Sequence, residues 1–226
     1  MDLQLDTRVV LVVGGTGFIG DAVVTRLRDE GATVIVASRH AEGDGLVLDA
    51  RDDASVAAGI ARILDEHGRI DGLVVTAAPS AQTLDPAKNS DPEQIAEAFD
   101  AKALSFLRVA LAAIAPMREA GFGRVVGISG QNALITGNIT GSVRNAALIL
   151  IAKNLADELA GSGVTVNAVN PGIVREAPAV EVPAGRPGES SPAQIADLVA
   201  FLVSPLASTS GESIAVGHRL RGATTL

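Results

Sequence analysis

The chain has 226 residues, 47% of them hydrophobic, enough for one domain with a sizeable core and too apolar for a long disordered segment. Only 2% are aromatic, all five of them Phe, so the core has to be built from Ala, Val, Ile and Leu. The formal net charge of −8 argues against nucleic acid and anionic membrane surfaces as partners. The absence of cysteine excludes disulfides, thiolate metal sites and thiol nucleophiles, and accords with a cytoplasmic location. No metal site is expected, and no apolar run approaches the ~20 residues of a membrane span.

The first element is the most informative. Val9–Val13 is an unbroken apolar run, suited to a strand buried on both faces of a parallel sheet. It breaks into Gly14-Gly15-Thr16-Gly17-Phe18-Ile19-Gly20, after which Ala22, Val23 and Leu27 recur at helical spacing. Strand, glycine turn and helix form the layout of a dinucleotide-binding unit. Gly14 permits the tight turn, Gly17 lets backbone approach a pyrophosphate, and Gly20 lets the helix pack closely on the strand. The amides around Thr16, Phe18 and Ile19 then face the anion.

Further along, the pattern predicts strands at Thr33–Ala37, Gly45–Leu48, Gly72–Thr76, Arg124–Ser129, Thr165–Val169 and Ser213–Val216. Helical spacing covers Phe18–Glu30, Ala54–His67, Pro92–Glu119, Gly141–Gly161 and Pro192–Leu202. This alternation predicts an α/β fold: a Rossmann-type, doubly wound parallel sheet of about seven strands, with helices on both faces and right-handed crossovers. No shift in composition marks a second domain, so 1–226 reads as one unit. Arg175–Ser191, rich in Pro, Gly and Ala, follows the sixth strand at the ligand-binding edge and serves as a lid or as a plain surface connection. The helix 141–161 is apolar almost all round, and the stretch Ala103–Ala115 of the helix 92–119 is similarly apolar. They are buried within the monomer or, as we expect, against another copy in a homodimer or homotetramer.

The strand ends propose a cofactor pocket. The second strand ends in Ser38-Arg39-His40, without the acidic residue that would bind ribose hydroxyls and repel a 2′-phosphate. Ser38 offers a hydroxyl and Arg39 a forked cation, which favours NADP(H) over NAD(H), unless Arg39 is simply a solvated surface charge. Asp49, with Ala50, ends the third strand where an acceptor meets an adenine amino group. The small residues Thr76, Ala77 and Ala78 leave room for a ribose, and Pro171-Gly172-Ile173 form a turn placed to pass under a nicotinamide.

Taken in order, GGTGFIG, SRH, LDA, VTAA, GRVVGISG, VNAVNPGIV and SGESIAVGH resemble the short-chain dehydrogenase/reductase family along nearly the whole chain. That resemblance implies a nicotinamide-dependent oxidoreductase whose catalytic groups are a Tyr-x-x-x-Lys pair, a Ser after the fifth strand and an Asn in the preceding helix. Matching Ala146-Ala147-Leu148 to the family's usual Ala-Ala-Leu puts Gly141 at the tyrosine position and Asn145 at the lysine position. The chain indeed has no tyrosine at all. The serine position falls on Gly130 or its neighbour Ser129, and the helix asparagine position on Lys102.

Carbonyl reduction leaves a developing alkoxide that needs a proton, and the usual donor is absent. Lys102 is the candidate substitute if it points inward, where burial lowers its pKa; otherwise it is a surface lysine. Ser129 is a candidate hydrogen-bond donor to a substrate oxygen, and Asn145 a neutral anchor for the nicotinamide ribose. Arg144 either clamps an anionic substrate or lies on the helix exterior. Three readings stay open: an NADP(H)-dependent oxidoreductase on a small organic substrate with a replaced proton donor, a catalytically silent cofactor-binding partner or sensor, and a non-redox lyase, cyclase or isomerase on the same scaffold.

Overall fold

The computed structural model describes residues 1–78 and 83–222, and the backbone alone of Leu134. Seven strands form one parallel sheet: β1 (Val9–Val13), β2 (Thr33–Ser38), β3 (Leu46–Val47), β4 (Gly72–Val75), β5 (Gly123–Ile128), β6 (Val164–Pro171) and, last in the chain, β9 (Ser213–Val216). Their order across the sheet is β3-β2-β1-β4-β5-β6-β9, which winds outward in both directions from β1. The change of direction between β1 and β4 is the topological switch point, where a crevice opens beyond the strand ends.

The helices are α1 (Phe18–Asp29), α2 (Asp53–His67), α3 (Pro92–Phe99), α4 (Ser105–Ala120), α5 (Ile139–Glu158) and α6 (Pro192–Val203). The unbroken apolar run of β1 follows from its place in the middle of the sheet. Val9, Leu11 and Val13 pack into a core that also holds Ile63 of α2, Phe106 of α4 and Leu148 of α5. Val10 and Val12 point the other way, into a core with Val23 and Leu27 of α1 and Ile195 and Val199 of α6. Period-2 alternation of side chains therefore feeds two cores at once.

Local chemistry sets the ends of the elements. Asp52 caps α2 by accepting from the Ser55 amide at 2.6 Å, and Gly68 closes the helix at φ 73°. Ser191 and Gln194 make a reciprocal capping box at the start of α6. At the bottom of the sheet the buried Asp71 accepts from the Val9 amide at 2.9 Å and pairs with Arg8 at 3.2 Å.

Three expectations need correction. The strand expected at 45–48 is only Leu46–Val47, because it is an edge strand with a single neighbour. The helix expected over 92–119 is broken by a π-turn, Asp100–Leu104, between α3 and α4. There Ser105 Oγ donates back to the Asp100 carbonyl at 3.1 Å, taking up an acceptor in the widened turn. The stretch 175–191 is not wholly irregular. Its far end holds β8 (Glu189–Ser190), which pairs in parallel with β7 (Ile173–Val174), the two residues just before the stretch. Glu189 accepts from Arg175 Nε at 2.8 Å and from the Ala179 amide at 2.9 Å, and Gly188 donates to the His218 carbonyl at 2.7 Å.

On the outer surface, Ile139, Val143 and Leu150 of α5 and Leu111 of α4 are exposed. No helix among the described residues is long and apolar enough to cross a membrane.

Candidate active site

The glycine turn is built on close backbone contact. Gly14 takes φ 87°, and a Cβ there would lie 2.6 Å from the Ala77 nitrogen. A Cβ at Gly20 would lie 2.1 Å from the Gly14 carbonyl oxygen, so only glycine lets α1 start this close to β1. Gly17 is the N-cap of α1 and supplies no side-chain cap, so the first amides of the helix are left without a side-chain acceptor. A helix start of this kind suits an anion.

In front of the turn lies a cavity of about 570 Å³. It is lined by Gly14, Thr16 and Gly17 of the turn, by Ser38 and Arg39 after β2, by Asp49 and Ala50, and by Thr76, Ala77 and Ala78 after β4. Sequence reasoning had named all of these. Ser38 Oγ is buried and has no partner, whereas Arg39 is exposed at the rim. Asp49 is partly turned to local work: its carboxylate accepts from the Arg51 amide at 3.0 Å. The residues present fit a dinucleotide: a glycine cradle, an open helix start, an unsatisfied hydroxyl and a cation at the end of β2.

Other named residues sit elsewhere. Phe18 is 53% exposed at the start of α1, Ile19 packs into the α1–α6 core, and Gly20 makes the strand contact described above; none lines the cavity. Pro171 closes β6, with Gly172 and Ile173 following it, and these also lie outside the lining. A Cβ at Gly172 would come within 2.1 Å of the Gly188 carbonyl oxygen, so this turn is pressed against the base of the 175–191 loop. Sequence reasoning missed Arg51, Thr83, Ala101 and Ser105, which also line the cavity. Arg51 directly follows Asp49-Ala50, and Ala101 and Ser105 flank Lys102 along the chain, so adjacency to named residues was the available signal.

The three catalytic candidates come together at the end of β5. Lys102, in the π-turn, is buried and its Nζ donates to the Ser129 carbonyl at 2.9 Å. Ser129 Oγ donates to the Asn145 carbonyl at 2.9 Å, which commits its proton to the α5 backbone. Asn145 is buried, and its Oδ1 has no partner. A Cβ at Gly130 would approach Asn145 Nδ2 to 3.2 Å, so the glycine makes room for this amide. At Gly141, a Cβ would meet the amides of Asn132 and Asn138 at 3.2 Å.

The electrostatics of Lys102 follow from its position. Loss of water, reinforced by the nearby positive charge of Arg144, pushes its pKa down to about 7. Arg144 is itself buried on α5, which removes the exterior placement considered above, and burial lowers its pKa as well. The π-turn is anchored by Asp100, which accepts from Arg51 Nε at 2.8 Å and pairs with Arg108 at 2.9 Å. Burial pushes the Asp100 carboxyl up, but the bonds from Arg108 and Arg51 outweigh it and hold the carboxyl below the usual range.

Comparison with known proteins gives a consistent result. Residues 16–218 match the family model described as Enoyl-(Acyl carrier protein) reductase. The chain is 29% identical to the 3-oxoacyl-(acyl-carrier-protein) reductase FabG of Vibrio cholerae, over 95% of this chain and 97% of that protein. It is 31% identical to the acetoacetyl-CoA reductase of Synechocystis sp., over 92% and 93% respectively. Among solved structures, gox2181 superposes with a TM-score of 0.81 at 26% identity, covering 95% of this chain and 96% of that one.

The depressed pKa of Lys102 makes stability depend on pH. The unfolded chain holds the lysine proton up to the ordinary value, whereas the folded chain releases it near 7. Between these values the unfolded state binds more protons, so this group's contribution to stability rises with pH across that window. In urea unfolding from pH 7 to pH 10, the wild type should gain stability relative to Lys102→Met, whose curve lacks this contribution. Parallel curves would remove the buried ammonium.

Proposed function

The chain belongs to the short-chain dehydrogenase/reductase family of oxidoreductases, and from that premise we propose that it binds NADP(H) and reduces a small organic substrate with Lys102 as the proton donor. The observation that carries the reading is the buried ammonium of Lys102, held on the Ser129 carbonyl at 2.9 Å with its pKa brought to about 7. A group poised near neutrality is the effective general acid at working pH.

NADP(H), when bound, supplies or accepts the hydride at its nicotinamide. The glycine turn and the start of α1 hold the pyrophosphate, and Ser38 and Arg39 meet the 2′-phosphate. Asp49 and Ala50 would border the adenine, and the turn Pro171-Gly172-Ile173, outside the lining of the cavity itself, would lie toward the nicotinamide end. Asn145 offers its unsatisfied Oδ1 to a hydroxyl of the nicotinamide ribose. Lys102 turns from the Ser129 carbonyl to the developing alkoxide and releases its proton there. Ser129 keeps the end of β5 tied to α5, which fixes the lysine's resting acceptor. The exposed apolar residues Ile139, Val143 and Leu150 of α5, together with Leu111 of α4, support a homodimer or homotetramer through these helices.

Four measurements test this reading. Arg39→Ala should weaken NADPH binding about tenfold or more in calorimetry and leave NADH affinity nearly unchanged, because only NADPH carries the 2′-phosphate. Equal losses remove the NADP(H) preference. Lys102→Ala should cut kcat by ~10²–10⁴. In the wild type, kcat for reduction should fall as pH rises through about 7, as the ammonium loses its proton. Unchanged turnover excludes Lys102 as the acid. Leu150→Glu should lower the assembly state in analytical ultracentrifugation, and an unaltered distribution removes α5 from the interface.

A further inference from the structure

Arg51 belongs to two places at once. It lines the cavity beside Asp49 and Ala50, and its Nε donates to the Asp100 carboxylate at 2.8 Å. Its backbone is set by neighbours: the Arg51 amide donates to the Asp49 carboxylate at 3.0 Å, and the Asp49 amide to Ser55 Oγ of α2 at 2.9 Å. Asp100 opens the π-turn. Its other carboxylate oxygen meets Arg108 Nη2 at 2.9 Å, and its backbone carbonyl accepts from Ser105 Oγ at 3.1 Å. Ala101 and Ser105 line the cavity, whereas Lys102, between them in sequence, turns inward to the Ser129 carbonyl at 2.9 Å. One chain of contacts therefore runs from the cavity wall, through Arg51 and Asp100, to the turn that holds Lys102.

The Arg51–Asp100 pair is weak by itself. The two side chains are 43% and 25% exposed, so water screens the attraction and a long side chain has to be held in one place. A ligand resting on Arg51 lowers both costs. It excludes water from one side of the guanidinium and restricts the side chain, so the bond to Asp100 strengthens when the cavity is filled. Coupling of this kind is reciprocal. Asp100 holds Arg51 ready for the ligand, and so adds to the affinity of a ligand whose cavity it does not line.

We propose that Asp100 is a positioning residue that ties the adenine end of the cofactor to Lys102. With the cavity empty, the π-turn rests on a solvated pair. With the adenine end filled, Arg51 is pinned, Asp100 is fixed, and Lys102 is held more firmly at the Ser129 carbonyl. This rests on the NADP(H) and Lys102 reading above and adds an order of events to it: the cofactor sets the lysine in place before a substrate arrives.

The test uses the full chain and adenosine 2′,5′-bisphosphate, which fills the adenine end and lacks the nicotinamide. In calorimetry, Asp100→Asn should bind this nucleotide about fivefold or more weakly than the wild type. Arg51→Met should lose at least as much, and adding Asp100→Asn to it should cost nothing further, because Asp100 acts through Arg51. The chain has three lysines, Lys88, Lys102 and Lys153, so lysine isotopically labelled at Cε reports on Lys102 by NMR, with the signal assigned by its loss in Lys102→Met. The nucleotide should move that signal in the wild type and far less in Asp100→Asn. Equal movement in both is the through-space field of the phosphates alone and overturns the proposal, as do additive losses in the double variant. A merely structural Asp100 would lower the urea midpoint while nucleotide affinity and the Lys102 response stayed unchanged, which also overturns it. Should Asp100→Asn fail to fold, the other proteins decide: a Lys102 signal unmoved by nucleotide in the wild type, or moved equally in Arg51→Met, overturns the proposal. If the nucleotide moves Lys102 through Asp100 but NADPH reduces no carbonyl substrate, the coupling stands and Lys102 as proton donor falls. If a substrate is reduced while the Lys102 signal ignores the nucleotide, the donor reading stands and the coupling falls. Failure of the nucleotide to bind removes both.

Discussion

The architecture depends on two backbones meeting without side chains between them. The Gly14 carbonyl and Gly20 touch so closely that a single methyl group would sit 2.1 Å from the oxygen. This contact fixes where α1 begins relative to the end of β1, the strand that lies between β2 and β4 and feeds both cores. From it follow the direction of the first helical amides and the position of the cavity in front of them. Arg39, Asp49 and Thr76 then arrive at one place because β2 and β4 lie beside β1 and β3 lies beside β2, all parallel and ending at the same edge.

A second constraint governs the other end of that edge. The π-turn at Asp100–Leu104 widens the helical backbone where Lys102 must turn inward. It is held from outside by the ion pairs of Asp100 with Arg51 and Arg108 and from inside by the bond from Lys102 to Ser129. An exposed ion pair contributes little on its own. Here two arginines share one carboxylate at a place where the helix has departed from its regular hydrogen bonding, and the shared anchor gives the turn a defined shape. Such widened turns are frequent at functional sites because they redirect a side chain without ending the helix.

Much of this was legible in the sequence, for identifiable reasons. β1 and its glycine turn were legible because burial on both faces leaves a continuous apolar run, and because each glycine answers a separate steric demand. The cavity residues after β2, β3 and β4 were legible from their place at strand ends. The π-turn was not: Ala98, Ala101, Ala103, Phe106 and Val109 keep the segment apolar throughout, and the one-residue change of phase is hidden by small side chains. Arg144 was ambiguous because its charge suits solvent as well as an interior place, and only the burial of its face of α5 removed the exterior placement. Arg51 was overlooked because an exposed arginine after a strand carries no periodic signal. The edge strand β3 was overestimated because apolar composition predicts burial better than it predicts pairing.

The amides of Asn132 and Asn138 stand where a side chain branching from Gly141 would begin. An added Cβ at 3.2 Å from these amides is tighter than an ordinary contact, so a larger side chain grafted there would require both asparagines to shift by a few tenths of an ångström. Re-engineering the orthodox chemistry into this scaffold is therefore a multi-site undertaking: a phenol at 141 presses on two asparagine side chains, and Asn145 would have to change as well.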